Sequence, residues 1–382
     1  PSYILPILIS MLIPGGTLWI IEEIALTFIC AQAYLEVEPL EFPLANISVQ
    51  MIDTLSKREE NKMRIFVLSA LVGIAYGFFL YGIPTIFLGV YNISFQLIPF
   101  PWIDLTSTSG MMGFAGMENF LPGACFGIAT DLIPLVSGFL LPLHITLYML
   151  IGSLSVWVFG NHIALTKLKE IFPEWSNEWA HGMSMALVWQ RSYMRVWIFP
   201  LIGCMFALIA QEIIKGRKYF FGTFKNLYKL SIVAKKRGYF NLKILLIMYL
   251  GSTSLGIIVF HWLVPDFPIW ISILTSIGGS LFIGMISTRA KGETGYPLMS
   301  TNISDLWRSF VILSGYKGVE PFFISPVLGG NMAPYWVENI RIAHMTRTWP
   351  RDFFKGYILA VSYTHLRAHE TSLHLVCRLL LE

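Results

Sequence analysis

Apolar positions in this chain do not alternate with polar ones at the period of a surface helix; they run on without a charge. From residue 65 to residue 103 nothing more polar than Ser, Thr, Asn or Gln interrupts the run. Its first 26 positions, residues 65–90, make a helix about 39 Å long at the α-helical rise, more than the ~30 Å hydrocarbon core that about 20 apolar residues already span. Comparable runs occupy residues 2–21, 132–166, 244–265 and 267–288. Recurrence of the pattern predicts an all-α, polytopic transmembrane helix bundle, with the lipid bilayer as its partner and a multi-pass location in the cell membrane. With the shorter apolar stretches counted, about eight to ten membrane helices are expected.

Composition narrows the class further. Hydrophobic residues make up 55% of the chain and charged residues 13%, about half the charged share of a soluble domain, and the mean hydropathy is +0.63. A large soluble domain is excluded. The net charge of +4 comes from basic residues gathered in short loops between apolar runs, so membrane topology accounts for it and nucleic-acid binding does not. Cys30, Cys125 and Cys204 lie far apart in apolar surroundings and read as small buried hydrophobes, without disulfide or zinc spacing. Cys377, with His365, His369 and His374, falls in residues 361–382. The composition changes abruptly there and resembles a translated sequencing adapter, so the stretch reads as a non-native tail and not as a metal site. Residues 1–360 are then expected to be one transmembrane domain, a fragment truncated at both ends, with no cofactor.

Charge sets the orientation. Residues 215–243 carry nine Lys or Arg and no acid, which makes the loop 213–243 cytoplasmic under the positive-inside rule; an amphipathic segment resting on anionic lipid would put it on the same side. Crossings at 244–265 and 267–288 then return to a second basic turn with Arg289 and Lys291. Further basic stretches around Lys57 to Arg64 and Arg341 to Lys355 belong to that side as well. An even number of crossings must separate Arg64 from Lys215: 65–90, a short one at 121–136, 140–159 and 187–210. The short one is alternatively a re-entrant hairpin, with residues 96–114 restoring the parity.

Backbone groups at bilayer depth must be satisfied internally, so apolar segments broken by Gly and Pro mark backbone enclosed by protein. Two segments qualify: residues 110–134, with Glu118 and Asp131, and residues 321–336, with Gly329, Gly330 and Asn331. Paired broken segments point to a binding site made from discontinuous helices; close helix packing through glycine is the plainer alternative. Glu22 and Glu23 follow Pro14, Gly15 and Gly16 in an otherwise uncharged stretch. A carboxylate at that depth is costly unless protonated or paired, and neighbours on a helix point about 100° apart, so one at most faces a cavity centre. The alternative puts both at the membrane edge beyond a crossing at 2–21. The candidates for substrate binding or ion coupling are therefore Asp131 first, then Glu22, Glu23 and Asn331, with Glu118 expected in an external loop. Arg191 and Arg195, one helical turn apart, are expected to snorkel or to pair with an acid. Trp189, Trp197, Trp262 and Trp270 near span ends read as an interfacial belt.

No phosphate loop, HExxH, GxSxG or dinucleotide fingerprint occurs. Gly292 to Pro297, GETGYP, has two glycines, Gly292 and Gly295, but lacks the Lys and Ser or Thr that hold a nucleotide. Three stretches have a likeness elsewhere: Phe42-Pro43 opening a helix that runs to Leu55 before KREENKMR, the glycine-rich pattern from Phe126 through Asp131 to Gly138 and Pro142, and GETGYP. Together, over about residues 40–297, they resemble motifs of the oligopeptide transporter superfamily, with Ala45, Ile47 and Val49 departing from the small residues of its first motif. The resemblance implies a larger secondary active transporter, not an enzyme. Such a protein takes up a peptide or related small solute by alternating access, with the proton as coupling ion on Asp131 or Glu22. Two other classes stay open, an integral-membrane enzyme and a non-transporting scaffold. His144, His162, His181, His261 and His344 are scattered, with no HxxxH spacing to favour the enzyme.

Overall fold

The computed structural model describes residues 13–107, 116–204, 238–297 and 303–360, together with residues 9, 206, 207, 210, 211 and 214. The tail 361–382, most of the basic loop 213–243, most of residues 1–12 and residues 110–115 of the first broken segment lie outside the described residues. The described chain is mostly helical. In order, its elements are α1 (Ile13–Val37), α2 (Pro43–Lys57), α3 (Glu60–Tyr91), β1 (Trp102–Asp104), β2 (Gly127–Ala129), α4 (Leu132–Leu140) and α5 (Leu143–Thr166). There follow α6 (Pro173–Glu178), α7 (Met185–Ser192), α8 (Leu242–Leu263), α9 (Ile269–Thr294), α10 (Ile303–Leu313), α11 (Glu320–Phe323), α12 (Ala333–Met345) and α13, residues 350–360.

Among the described residues, α1, α3, α5, α8 and α9 are the five helices long and apolar enough to cross a membrane, fewer than the eight to ten expected. The runs at 244–265 and 267–288 and the helix expected at 65–90 reappear with boundaries shifted by a few residues, whereas the run at 132–166 divides into α4 and α5. The run expected at 2–21 does not end at the carboxylates: α1 carries on through Glu22 and Glu23 to Val37, because both side chains are buried in protein rather than lying at a membrane edge. The short crossing at 121–136 is corrected. Residues 121–131 form turns and β2, and the nine residues of α4 reach only about 14 Å, less than half the hydrocarbon thickness. Within the described part of residues 96–114 there is no helix to replace it.

The chain divides into two compact units, one made of Pro1–Val49 and Leu208–Glu382, the other of Gln50–Ala207. In the first, α1 is the central helix, packed by α8, α9 and α12. It is 78% buried along its apolar window, where α3 and α5 are each 6% buried, so it is apolar on all sides because protein surrounds it. Leu26, Phe28, Ile29 and Cys30 of α1 meet Leu245 and Tyr249 of α8 and Val337 and Ile340 of α12, with Phe28 edge-on to Phe240 and Phe354. Polar side chains line α9 at helical spacing, with Ser272, Ser276, Ser280, Ser287 and Lys291 all buried.

In the second unit α3 and α5 turn Leu71, Val72, Ile74, Tyr148 and Ile151 outward, the distribution that suits lipid as solvent. Strands β1 and β2 pair antiparallel, Trp102 opposite Ala129, and a small core gathers Ala164, Trp175, Val188 and Val196. Arg191 and Arg195 pair with acids. Arg191 bonds Glu178 at 3.3 Å, while Arg195 bonds Glu174 and, at 2.5 Å, Glu178, and these bonds hold the Glu178 carboxyl below the usual carboxylate range. Trp262 and Trp270 flank the turn between α8 and α9 and are exposed, as a belt requires, whereas Trp197 is half-buried and donates to Asn161 at 2.5 Å. Cys30 is buried and Cys125 half-buried, but Cys204 is exposed.

Candidate functional site

The second broken segment, residues 321–336, adopts the arrangement its glycines and prolines foreshadow. Pro321 sits in the first turn of α11 and Pro334 in that of α12, where a missing N–H costs nothing. Between these helices residues 324–332 run as irregular backbone, and Ile324, Val327, Leu328, Gly329 and Gly330 are all buried. Buried irregular backbone at the level of membrane spans is tolerated only when protein encloses it. Two facing glycines make the room. A side chain at Gly256 of α8 would strike Val327, and one at Gly284 of α9 would lie 3.3 Å from the Gly330 Cα. Gly330 itself has φ +97°, a left-handed conformation that glycine adopts freely.

Against this backbone α1 sets Glu22 and Glu23, 0% and 5% exposed. The Glu23 Oε1 accepts hydrogen bonds from the N–H groups of Asn331 at 3.0 Å and Met332 at 3.3 Å, immediately before α12 begins. Backbone donors and the positive end of a helix both favour negative charge there. Its Oε2 is buried with no hydrogen-bond partner. The Glu22 carboxyl lies against Gly329, so that a Cβ on Gly329 would stand 2.7 Å from its Cδ; neither of its oxygens has a hydrogen-bond partner. Gly329 instead donates its N–H to the Ser280 hydroxyl at 3.1 Å. Two adjacent carboxyl groups thus occupy a water-poor crossing of α1, α9 and a broken segment, one held by two well-formed amide hydrogen bonds and the other only flanked by the Ser280 hydroxyl and the Gly329 N–H.

A cavity of about 260 Å³ opens beside Glu23, bounded by α1, α12 and α13. Trp19, Trp336, Phe354 and Tyr357 line it together with aliphatic side chains, with Thr27 and Glu23 supplying polar groups. At the other end of α9, buried Lys291 pairs with Glu338 of α12 at 3.0 Å and lies over the Tyr335 ring, while Arg289 bonds Glu38 at 3.2 Å. These pairs tie α9 to α12 and to the end of α1.

The remaining sequence candidates are placed elsewhere. Asp131 is half-buried in the second unit and caps α4, accepting the Ile133 N–H at 3.1 Å, an N-cap role. Glu118 is buried, not in an open loop as expected, because the Gly182 N–H donates to it at 2.8 Å and His181 stands 3.8 Å away. Asn331 joins the carboxyl pair through its backbone. Phe42 and Gly292, from two of the motif stretches, meet: the Phe42 N–H donates to the Gly292 carbonyl at 3.0 Å, and a Cβ on Gly292 would stand 2.6 Å from Leu40. Pro43 opens α2, and Gly295 ends α9 at φ +85°. What sequence reasoning missed is Ser280 and the aromatic wall of the cavity, whose members stand more than 300 residues apart along the chain. Comparison of the chain with family models, with curated proteins and with solved structures finds no match.

Proposed function

We propose that this chain is a proton-coupled secondary transporter of a small solute, with Glu22 and Glu23 as the coupling pair. One observation carries the reading: two adjacent carboxyl groups are buried midway along a membrane-length helix, against a broken segment and beside a cavity. Ionisable groups at such depth are costly and mark ion or substrate pathways, and broken helices at the midplane are where transporters bind. The motif likeness to the oligopeptide transporter superfamily supports the same class.

Two carboxylates this close in a low-dielectric site do not both stay charged. The amides of Asn331 and Met332 favour the charge on Glu23, so the shared proton belongs on Glu22, whose oxygens make no comparably well-formed hydrogen bond. Loss of that proton on one side of the membrane and its recovery on the other, with solute in the cavity, is the coupled step. Asp131 has no part in this reading.

The test is reconstitution into liposomes that hold the pH dye pyranine, with acid outside and a mixture of small dipeptides added. Solute-dependent proton entry is expected in the wild type and in Asp131→Asn, which keeps a good N-cap. It is expected to be lost in Glu22→Gln, which keeps the shape but cannot exchange a proton. Proton entry no faster than in protein-free liposomes, from monodisperse wild-type protein, would sink the reading.

A further inference from the structure

The lining of the cavity defines what enters it. We infer that the space between α1, α12 and α13 binds an organic ammonium ion with an apolar, aromatic body, its nitrogen pairing with Glu23 Oε2. Three observations converge. Glu23 is the one carboxylate among the lining residues, and none of them is Lys or Arg, so nothing in the wall neutralises it. Its Oε1 is already engaged by two amide donors, whereas Oε2 lacks a partner and lies just behind the cavity wall, covered from the open space; an ammonium that presses into the wall supplies the charge-assisted bond that oxygen is missing. The rest of the wall is apolar apart from Thr27, with four aromatic rings beside Ile20, Ile24, Met332 and Ile358. The Trp336 ring lies 4.4 Å from Tyr357 and 5.3 Å from Phe354 by centroid, with Trp19 on the facing helix, a surface that takes up a flat apolar body and stabilises a cation by its π faces.

Size sets the scale. A volume of about 260 Å³ accepts roughly a dozen non-hydrogen atoms at protein packing density. A carboxylate on the ligand would find no cation in the wall, so a monoamine suits the cavity better than a zwitterion of the same size. That this ligand is the transported solute rests on the transporter reading; the contact with Glu23 does not.

The experiment uses the full chain in lipid nanodiscs with tritiated tryptamine as probe. Saturable binding is expected, with 3-propylindole, its uncharged isostere, competing about tenfold more weakly or worse, and with indole-3-propionate not competing. Glu23→Gln and Trp336→Leu are expected to weaken tryptamine by about tenfold as well. Equal competition by 3-propylindole, or no saturable binding of tryptamine, overturns the inference, and that comparison needs only wild-type protein. Failure of this inference is separable from failure of the transporter reading. Tryptamine binding without coupled proton entry leaves the site standing and removes the transporter; peptide-coupled proton entry without tryptamine binding does the reverse.

Discussion

Replacing Gly330 by Ala tests whether the broken segment is as tightly held as the geometry requires. The added Cβ would lie 2.6 Å from the Ser280 carbonyl oxygen and 3.0 and 3.2 Å from the Gly284 N and Cα. These obstacles belong to the backbone of α9 and have no rotamer by which to move away. To restore an ordinary contact, the segment or the helix must shift by about 0.8 Å. Overpacking of this kind costs about 1–3 kcal/mol. The left-handed φ of +97° adds about 1–2 kcal/mol for a residue with a side chain. The sum is about 2–5 kcal/mol. Gly315→Ala is the control, because its φ of +68° carries the same backbone penalty while nothing lies within 4 Å of the added Cβ; it should cost only about 1–2 kcal/mol. Equilibrium unfolding in mixed detergent micelles, followed by tryptophan fluorescence, measures both. A Gly330→Ala protein no less stable than Gly315→Ala would refute the close approach of residues 329–330 to α9.

Two further predictions concern other parts of the structure. Lys291→Met should destabilise by about 3 kcal/mol because it strands the partly buried Glu338 carboxylate; the double variant Lys291→Met, Glu338→Met should recover most of that loss in thermal unfolding, and equal losses in the two proteins would show that the pair is not coupled. Burial, aided by the nearby Asp104 charge, pushes the Cys125 thiol up to about 12, so at pH 8 it should resist a maleimide in folded protein and react on unfolding. The raised folded value has a stability consequence of definite sign. Its contribution is complete below the unfolded thiol's value of 9 and is lost as pH rises from there toward about 12, because the unfolded thiol ionises first. Rapid labelling of Cys125 at pH 8, seen by peptide mass mapping, would contradict the burial.

The spans were legible because hydrophobic continuity is a local property of the chain. The enclosed segment at 321–336 was legible for a related reason, since Gly and Pro at bilayer depth leave few alternatives. Which span is central was not legible. Apolar residues facing lipid and apolar residues facing protein read alike, so apart from Glu22 and Glu23 nothing in sequence distinguished α1, wrapped by α8, α9 and α12, from the outward-facing α3 and α5. Asp131 shows a different limit. Its apolar neighbours made it look like a buried carboxylate, yet an Asp directly before Leu132 is also an N-cap signal, and the local hydrogen bond to Ile133 prevailed. Glu118 is buried by Gly182, 64 residues away, and Arg195 finds Glu174 and Glu178, 21 and 17 residues back. No local pattern announces such partners.

The glycines around the carboxyl pair bear on why those acids persist where packing alone would favour Ala or Leu. Gly256 and Gly284 withdraw side chains from α8 and α9, and Gly329 and Gly330 withdraw them from the broken segment, all at one crossing. The Val327 side chain fills the space at Gly256, while at Gly284 and Gly330 backbone meets backbone and at Gly329 the Glu22 carboxyl moves in. For stability this is a poor arrangement, since it leaves three carboxyl oxygens buried without a hydrogen bond and places two acids side by side in a water-poor interior. It does give the two acids unequal surroundings: backbone donors and a helix end for Glu23, a bare glycine face for Glu22. Unequal surroundings are what a pair needs if one member is to hold a charge for a ligand while its neighbour takes up and releases a proton. That inequality comes from where the backbone amides point, not from any further ionisable residue, so it changes as soon as the broken segment moves relative to α1. A shift of under 1 Å would lengthen the hydrogen bonds from Asn331 and Met332 past their useful range. Met332 and Trp336 also line the cavity, so the residues that set the charge on Glu23 adjoin the space beside it.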